Sequence, residues 1–150
     1  MSFTRANAEV VLLARHGPKM TAAGMDGATQ SGANPAVVDP LVTALLKMGY
    51  TPASAAAVTD ADLAKVETER LPELLERAEL RLLENIAGNL DDVDITLGPR
   101  REALNQLAQL VERAIDRLTA RLAKEYGAGL GSLSAGAISL DFAEKFDDEL

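Results

Sequence analysis

The sequence predicts a mainly α fold: a small helical bundle with one long helix at about residues 99–126, an irregular N-terminal segment and a C-terminal extended arm or strand. Three observations lead there. The 150 residues are 47% hydrophobic but only 3% aromatic, so the core must come from Leu, Val, Ile and Ala, which suits helices. Two stretches place apolar residues at helical spacing. Breakers are dense at 17–36, and glycines cluster again at 127–136, which marks the irregular parts off from the helical body. The length favours a single domain, in three parts: residues 1–58, a helical body at 59–126, and a Gly-rich hinge with an arm at 127–150.

Residues 1–58 are the least regular part. The run Val10-Val11-Leu12-Leu13 is four residues long, and Glu9 to Ala14 reads equally as a short strand or a helical turn. Gly17-Pro18, Gly24, Gly27, Gly32 and Asn34-Pro35 make 17–36 a long loop. Asp39-Pro40 then reads as an N-cap followed by proline at the first helical position. Leu41, Leu45, Leu46 and Met48 form that helix's apolar face, and Gly49 stops it.

In the body, Thr59 with Asp62 three residues later is a capping pattern. Pro72 kinks a helix or starts a new one. Beyond it, Leu74, Leu75, Ala78, Leu82, Leu83 and Ile86 recur at helical spacing among charged residues, and Gly88-Asn89 ends the helix. Asp91, Asp92 and Asp94 read as a solvated turn, because the glycine and glutamate of a calcium loop do not fall at the required offsets. From Gly98-Pro99 to Tyr126 the chain has no further breaker. Leu104, Leu107, Val111, Ala114, Leu118 and Leu122 make an apolar stripe, which Leu110 and Ile115 widen into the face of a bundle helix.

The hinge, Gly127, Gly129, Gly131 and Gly136 among Ser and Ala, lacks the ending of a phosphate loop. Ile138, Leu140 and Phe142 alternate with Ser139 and Asp141, a strand-period signal with no partner nearby in sequence. An acidic tail containing Phe146 follows.

Charge sharpens the division. The net charge of −8 is uneven: residues 59–98 hold 11 acidic and 4 basic side chains, residues 127–150 hold 5 and 1, while 99–126 hold 4 and 6. Arg113, Arg117, Arg121 and Lys124 line one face of the long helix. They form either an ordinary exposed face or a subunit contact for an acidic partner, such as residues 59–98 of a neighbouring copy. An acidic chain poor in stacking aromatics is not expected to grip nucleic acid directly.

Catalysis is constrained by what is missing. There is no Cys and one His, which excludes thiolate chemistry and any two-histidine mechanism. Leu13-Ala14-Arg15-His16-Gly17 resembles the Arg-His-Gly signature of histidine phosphatases. That family uses a second histidine, and His16 is alone, so a surface histidine at a strand end is the preferred reading. No enzyme, metal or cofactor is expected. No apolar run reaches the roughly 20 residues of a membrane span, and no secretory signal pattern is present. A cytoplasmic site of synthesis is the default expectation.

Taken together, the long helix followed by Gly127-Ala-Gly-Leu-Gly-Ser-Leu-Ser-Ala-Gly-Ala-Ile-Ser-Leu-Asp-Phe142 resembles the C-terminal half of tailed-phage head–tail connector (neck adaptor) proteins. The resemblance covers about residues 59–146, and residues 1–58 have no counterpart in it. It implies a virion structural protein in a ring, typically of twelve copies, seated below the portal. Its partners would be the portal and a stopper or tail-completion protein, with double-stranded DNA passing through unbound. It also implies that the arm reaches a neighbouring subunit or the portal through Ile138, Leu140, Phe142 and Phe146. A helical protein–protein interaction module is the alternative.

Overall fold

The computed structural model describes residues 2–92 and 98–127, with side chains for 2–90 and 102–127. The regular elements among the described residues are five α-helices, α1 (Arg5–Ala22), α2 (Val38–Lys47), α3 (Asp60–Ala64), α4 (Leu71–Asp92) and α5 (Gly98–Tyr126), and two single 3₁₀ turns at Pro35–Val37 and Thr68–Arg70. There is no strand among them. The expected helical bundle is what forms.

Helix α4 is its hub. Leu74, Ala78, Leu82 and Ile86 are fully buried, and Leu83 and Leu90 nearly so. Helix α2 packs most extensively on one flank and α5 on another, while α1 covers a third. Pro72 falls in the first turn of α4, where a missing N–H costs nothing, so it starts this helix and does not kink one. Gly88-Asn89 does not end it. The helix runs on to Asp92 because burying Leu90 outweighs the ~1 kcal/mol preference against a helical glycine. Asp91 and Asp92 therefore lie on the last turn of α4, not in a turn; Asp94 is outside the described residues.

Residues 1–58 depart most from expectation. The undecided run at 9–14 belongs to an 18-residue helix, and the loop begins at Ala23, not at residue 17. The helix starts with a capping box in which Thr4 Oγ1 accepts from Asn7 N and Asn7 returns a bond to the Thr4 backbone. Its buried face is Arg5, Ala8, Glu9, Leu12, Leu13, His16, Gly17 and Met20, a helical repeat carried partly by polar residues. Gly17-Pro18 does not break it. Proline removes only the bond to the Ala14 carbonyl, and Met20 beyond it is wholly buried.

Gly17 has a different task. A Cβ there would sit 2.9 Å from the Gly27 carbonyl oxygen, and one on Gly27 would collide with the Gly17 carbonyl and Thr21 Oγ1. The two glycines let the loop cross the helix at backbone contact. A buried network then pins that loop. Glu9 Oε1 accepts from the backbone N–H of Gly32 (3.0 Å) and of Asn34 (3.1 Å). Asn34 Nδ2 donates to the carbonyls of Asp26 and Thr29. Arg5 donates from Nη2 to the Asn34 carbonyl (2.7 Å) and from Nη1 to that of Val58 (3.3 Å), so it also holds the segment entering α3.

Helix α2 starts at Val38, after a 3₁₀ turn capped by Asn34, and not at an Asp39 cap. Asp39 lies in its first turn and reaches across to α4, where Arg81 (2.8 Å) and Asn85 (2.8 Å) donate to it. The Arg81 hydrogen bond holds its carboxyl below the usual carboxylate range. Leu41, Leu45 and Met48 are buried as expected, while Leu46 is 55% exposed. Gly49 stops the helix at φ +89°, a conformation that favours glycine. The Thr59–Asp62 capping box is formed at α3, and Asp62, 3% exposed, also accepts from Ala53 N. The Thr59 backbone hydrogen bond leads in lowering its carboxyl.

Helix α5 follows the sequence closely. Its 29 residues span about 43 Å. Leu104, Val111, Leu118 and Leu122 are buried, and Leu107, Ala114 and Ile115 partly so. Leu110 turns away and is 52% exposed, so the apolar stripe is narrower than expected. Gly127, at φ +80°, ends the helix in the left-handed conformation.

Candidate functional site

Two sequence features meet where α1, α4 and α5 converge. Helix α1 turns Arg15 and His16 towards α4, and both reach Glu79. Arg15 Nη1 lies 2.8 Å from Glu79 Oε2, and His16 Nε2 lies 2.8 Å from Glu79 Oε1. An ionised carboxylate can only accept, so His16 carries its proton on Nε2. Burial of Glu79 pushes its carboxyl up, but the His16 hydrogen bond and the charges of His16 and Arg15 outweigh it, and the net shift is downward.

His16 is therefore not a surface residue at a strand end. It is inside a helix, 6% exposed, with Nδ1 buried and unpartnered. A phosphoryl-accepting histidine needs a free ring nitrogen facing substrate, and here one nitrogen is held by Glu79 while the other is buried. Arg15, which would bind phosphate in the resembling motif, binds the same carboxylate. The three residues of the motif join α1 to α4 and admit the loop. Among the described residues there is also no group of His, Asp and Glu able to hold a metal ion, and no helix is long and apolar enough to cross a membrane.

The basic stripe lies on the other wall of the same groove, whose lining includes Arg15, His16, Glu79, Leu83, Ala114, Arg117, Leu118 and Arg121. Arg113, Arg117, Arg121 and Lys124 are all exposed on α5. Arg121 is engaged within the chain: it pairs with Glu76 of α4 (2.9 Å) and Glu125 of its own helix (3.1 Å). Part of the acid at 59–98 is thus met by this chain's own α5. Tyr126 sits beside the same glutamate, and burial together with the Glu76 charge raises its hydroxyl pKa. Arg117 donates to the Arg113 carbonyl, and neither residue pairs with a carboxylate among the described residues. Lys124 likewise makes no such pair there.

Sequence reading located the stripe but missed Arg15 as part of it. Nothing in the chain signals that residues about a hundred positions apart share a groove. The other expected site residues fall outside the described residues: the arm positions Ile138, Leu140, Phe142 and Phe146, and the hinge glycines Gly129, Gly131 and Gly136. Gly127 alone of the hinge is described, as the terminator of α5.

A second concavity lies between the loop and α4, lined by Met25, Asp26, Pro35, Asp39, Glu84 and Asn85 among others. Its Asp39 is already held by Arg81 and Asn85. Comparison with known proteins finds no matching family, no matching curated protein and no matching solved structure.

Proposed function

We propose that the chain is a virion structural protein, a head–tail (neck) adaptor that assembles as a ring below the portal and links it to the stopper or tail. The observation that carries this reading is helix α5 and its ending. A helix of about 43 Å rests on the body along one narrow stripe, and among the described residues its outer face is exposed. It ends at a left-handed Gly127, from which the Gly/Ser-rich sequence leads to the alternating residues Ile138, Leu140 and Phe142. A body with an exposed helical face, followed in sequence by a strand-period alternation, is suited to subunit contact and strand addition.

In this reading Arg113, Arg117 and Lys124 contact an adjoining subunit. Ile138, Leu140, Phe142 and Phe146 engage a neighbour or the portal, and no cofactor is required. Charge supports the passage of DNA through such a ring without capture, since a net charge of −8 repels phosphate.

Negative-stain microscopy and native mass spectrometry of the chain with the portal of the same virus test the proposal. A closed ring seated on the portal is expected. A monomer or dimer that ignores portals overturns it and favours the alternative, a free-standing helical interaction module, to which Leu110 exposed on the outer face of α5 would contribute. Deleting residues 137–150 is expected to leave helical circular dichroism intact and abolish assembly.

A further inference from the structure

We propose that the acidic C-terminal segment, residues 141–149, docks in the groove between α1, α4 and α5 of its own chain. The first argument is charge. The segment holds Asp141, Glu144, Asp147, Asp148 and Glu149 against Lys145. The groove holds Arg15, paired with Glu79, Arg121, paired with Glu76 and Glu125, and Arg117, which pairs with no carboxylate among the described residues. A guanidinium binds carboxylate as a planar fork, so exposed arginines are a fitted complement to an acidic strand.

The second argument is shape. Ala114 and Leu118 give the groove an apolar side next to the arginines. The acidic segment carries apolar side chains, Phe142 and Phe146, four residues apart among its carboxylates. The third is reach. Arg121 and Arg117 lie six and ten residues before Gly127, about 9 and 15 Å back along the helix. The residues between Gly127 and Asp141 can span roughly 40 Å, and Gly127 ends the helix in the left-handed conformation. A tether of that length raises the local concentration of the tail to about the millimolar range, which favours the chain's own tail over a neighbour's. The docking describes the free chain; in the ring proposed above, Arg117, Phe142 and Phe146 must leave it to reach a neighbour or the portal.

The full chain has no cysteine, so one introduced at Ala143 can carry a nitroxide label uniquely. In the ¹⁵N-labelled full-length protein, amide signals around Arg15 and residues 114–121 are expected to lose intensity and to regain it when the nitroxide is reduced. Arg117→Glu is expected to abolish the loss, as is high salt, with circular dichroism unchanged because Arg117 is exposed. Adding Asp147→Lys and Asp148→Lys to Arg117→Glu is expected to bring the loss back. An absent loss overturns the proposal, as does one indifferent to both Arg117→Glu and salt. So does a loss of equal size when the label is on unlabelled-nitrogen chains mixed with ¹⁵N chains, which would place a neighbour's tail in the groove.

Discussion

The loop that crosses α1 and helix α5 are secured by opposite means. The loop is locked through buried polar groups: Glu9, Arg5 and Asn34 tie it and the α3 entry to α1, and Gly17 and Gly27 bring loop and helix to backbone contact. Helix α5 is held by one apolar stripe with ion pairs at its edge. A polar lock is unforgiving, because each buried donor or acceptor that loses its partner keeps its full desolvation cost. An apolar stripe is additive and forgiving, and it leaves the opposite face free for other work. The lesson is a division of labour, with a fixed base on one side and a presenting helix on the other.

The largest effect is expected from breaking the lock. Glu9→Ala strands two backbone N–H groups and leaves Arg5 without its buried acid, so it should cost about 3 kcal/mol, or roughly 10 °C in Tm. Chemical denaturation checks the size, and a loss below about 1 kcal/mol would mean that the network is incidental.

A smaller effect belongs to the stripe. Leu118→Ala should cost about 2 kcal/mol, and hydrogen exchange should rise chiefly in α5 while α2 stays protected. Equal exchange in α2 would show that the two flanks unfold as one unit.

The smallest effect lies at the seam between them. The Glu79 carboxyl is lowered by His16 and Arg15, so its contribution is present above its unfolded value of 4.5 and is lost as pH falls below it. Glu79→Gln should therefore lose less stability than the parent as pH falls below 4.5, a difference read from acid denaturation of the two proteins. Identical acid profiles would show that the Arg15–His16–Glu79 contact does not bias the fold.

The same contrast explains what could be read in advance. Helix α5 was legible because its buried positions are Leu, Val and Ala, so hydrophobicity and helical period coincide. Helix α1 has an equally regular buried face, but Arg5, Glu9, His16 and Gly17 occupy half of it. A search for apolar period sees only Val10 to Leu13, and Gly17-Pro18 looks like a stop. Leu46 and Leu110 show the converse: both fit an apolar pattern, and both are exposed because no described residue packs on that side of their helices. His16 read as a surface residue because its partner, Glu79, lies 63 positions away.

The sequence by itself determined the helical class, the Thr59 capping box, the glycine stops at Gly49 and Gly127 and the course of α5. Each depends on residues within a turn or two of one another, where spacing alone sets the geometry. Only the tertiary structure decided the length of α1, the crossing at Gly17 and Gly27, the burial of Glu9 and His16, and the meeting of Arg15 with Arg117 and Arg121. Those depend on groups far apart in the chain. A polar side chain is stable inside only if its partners arrive there too, and local pattern carries no record of that arrival.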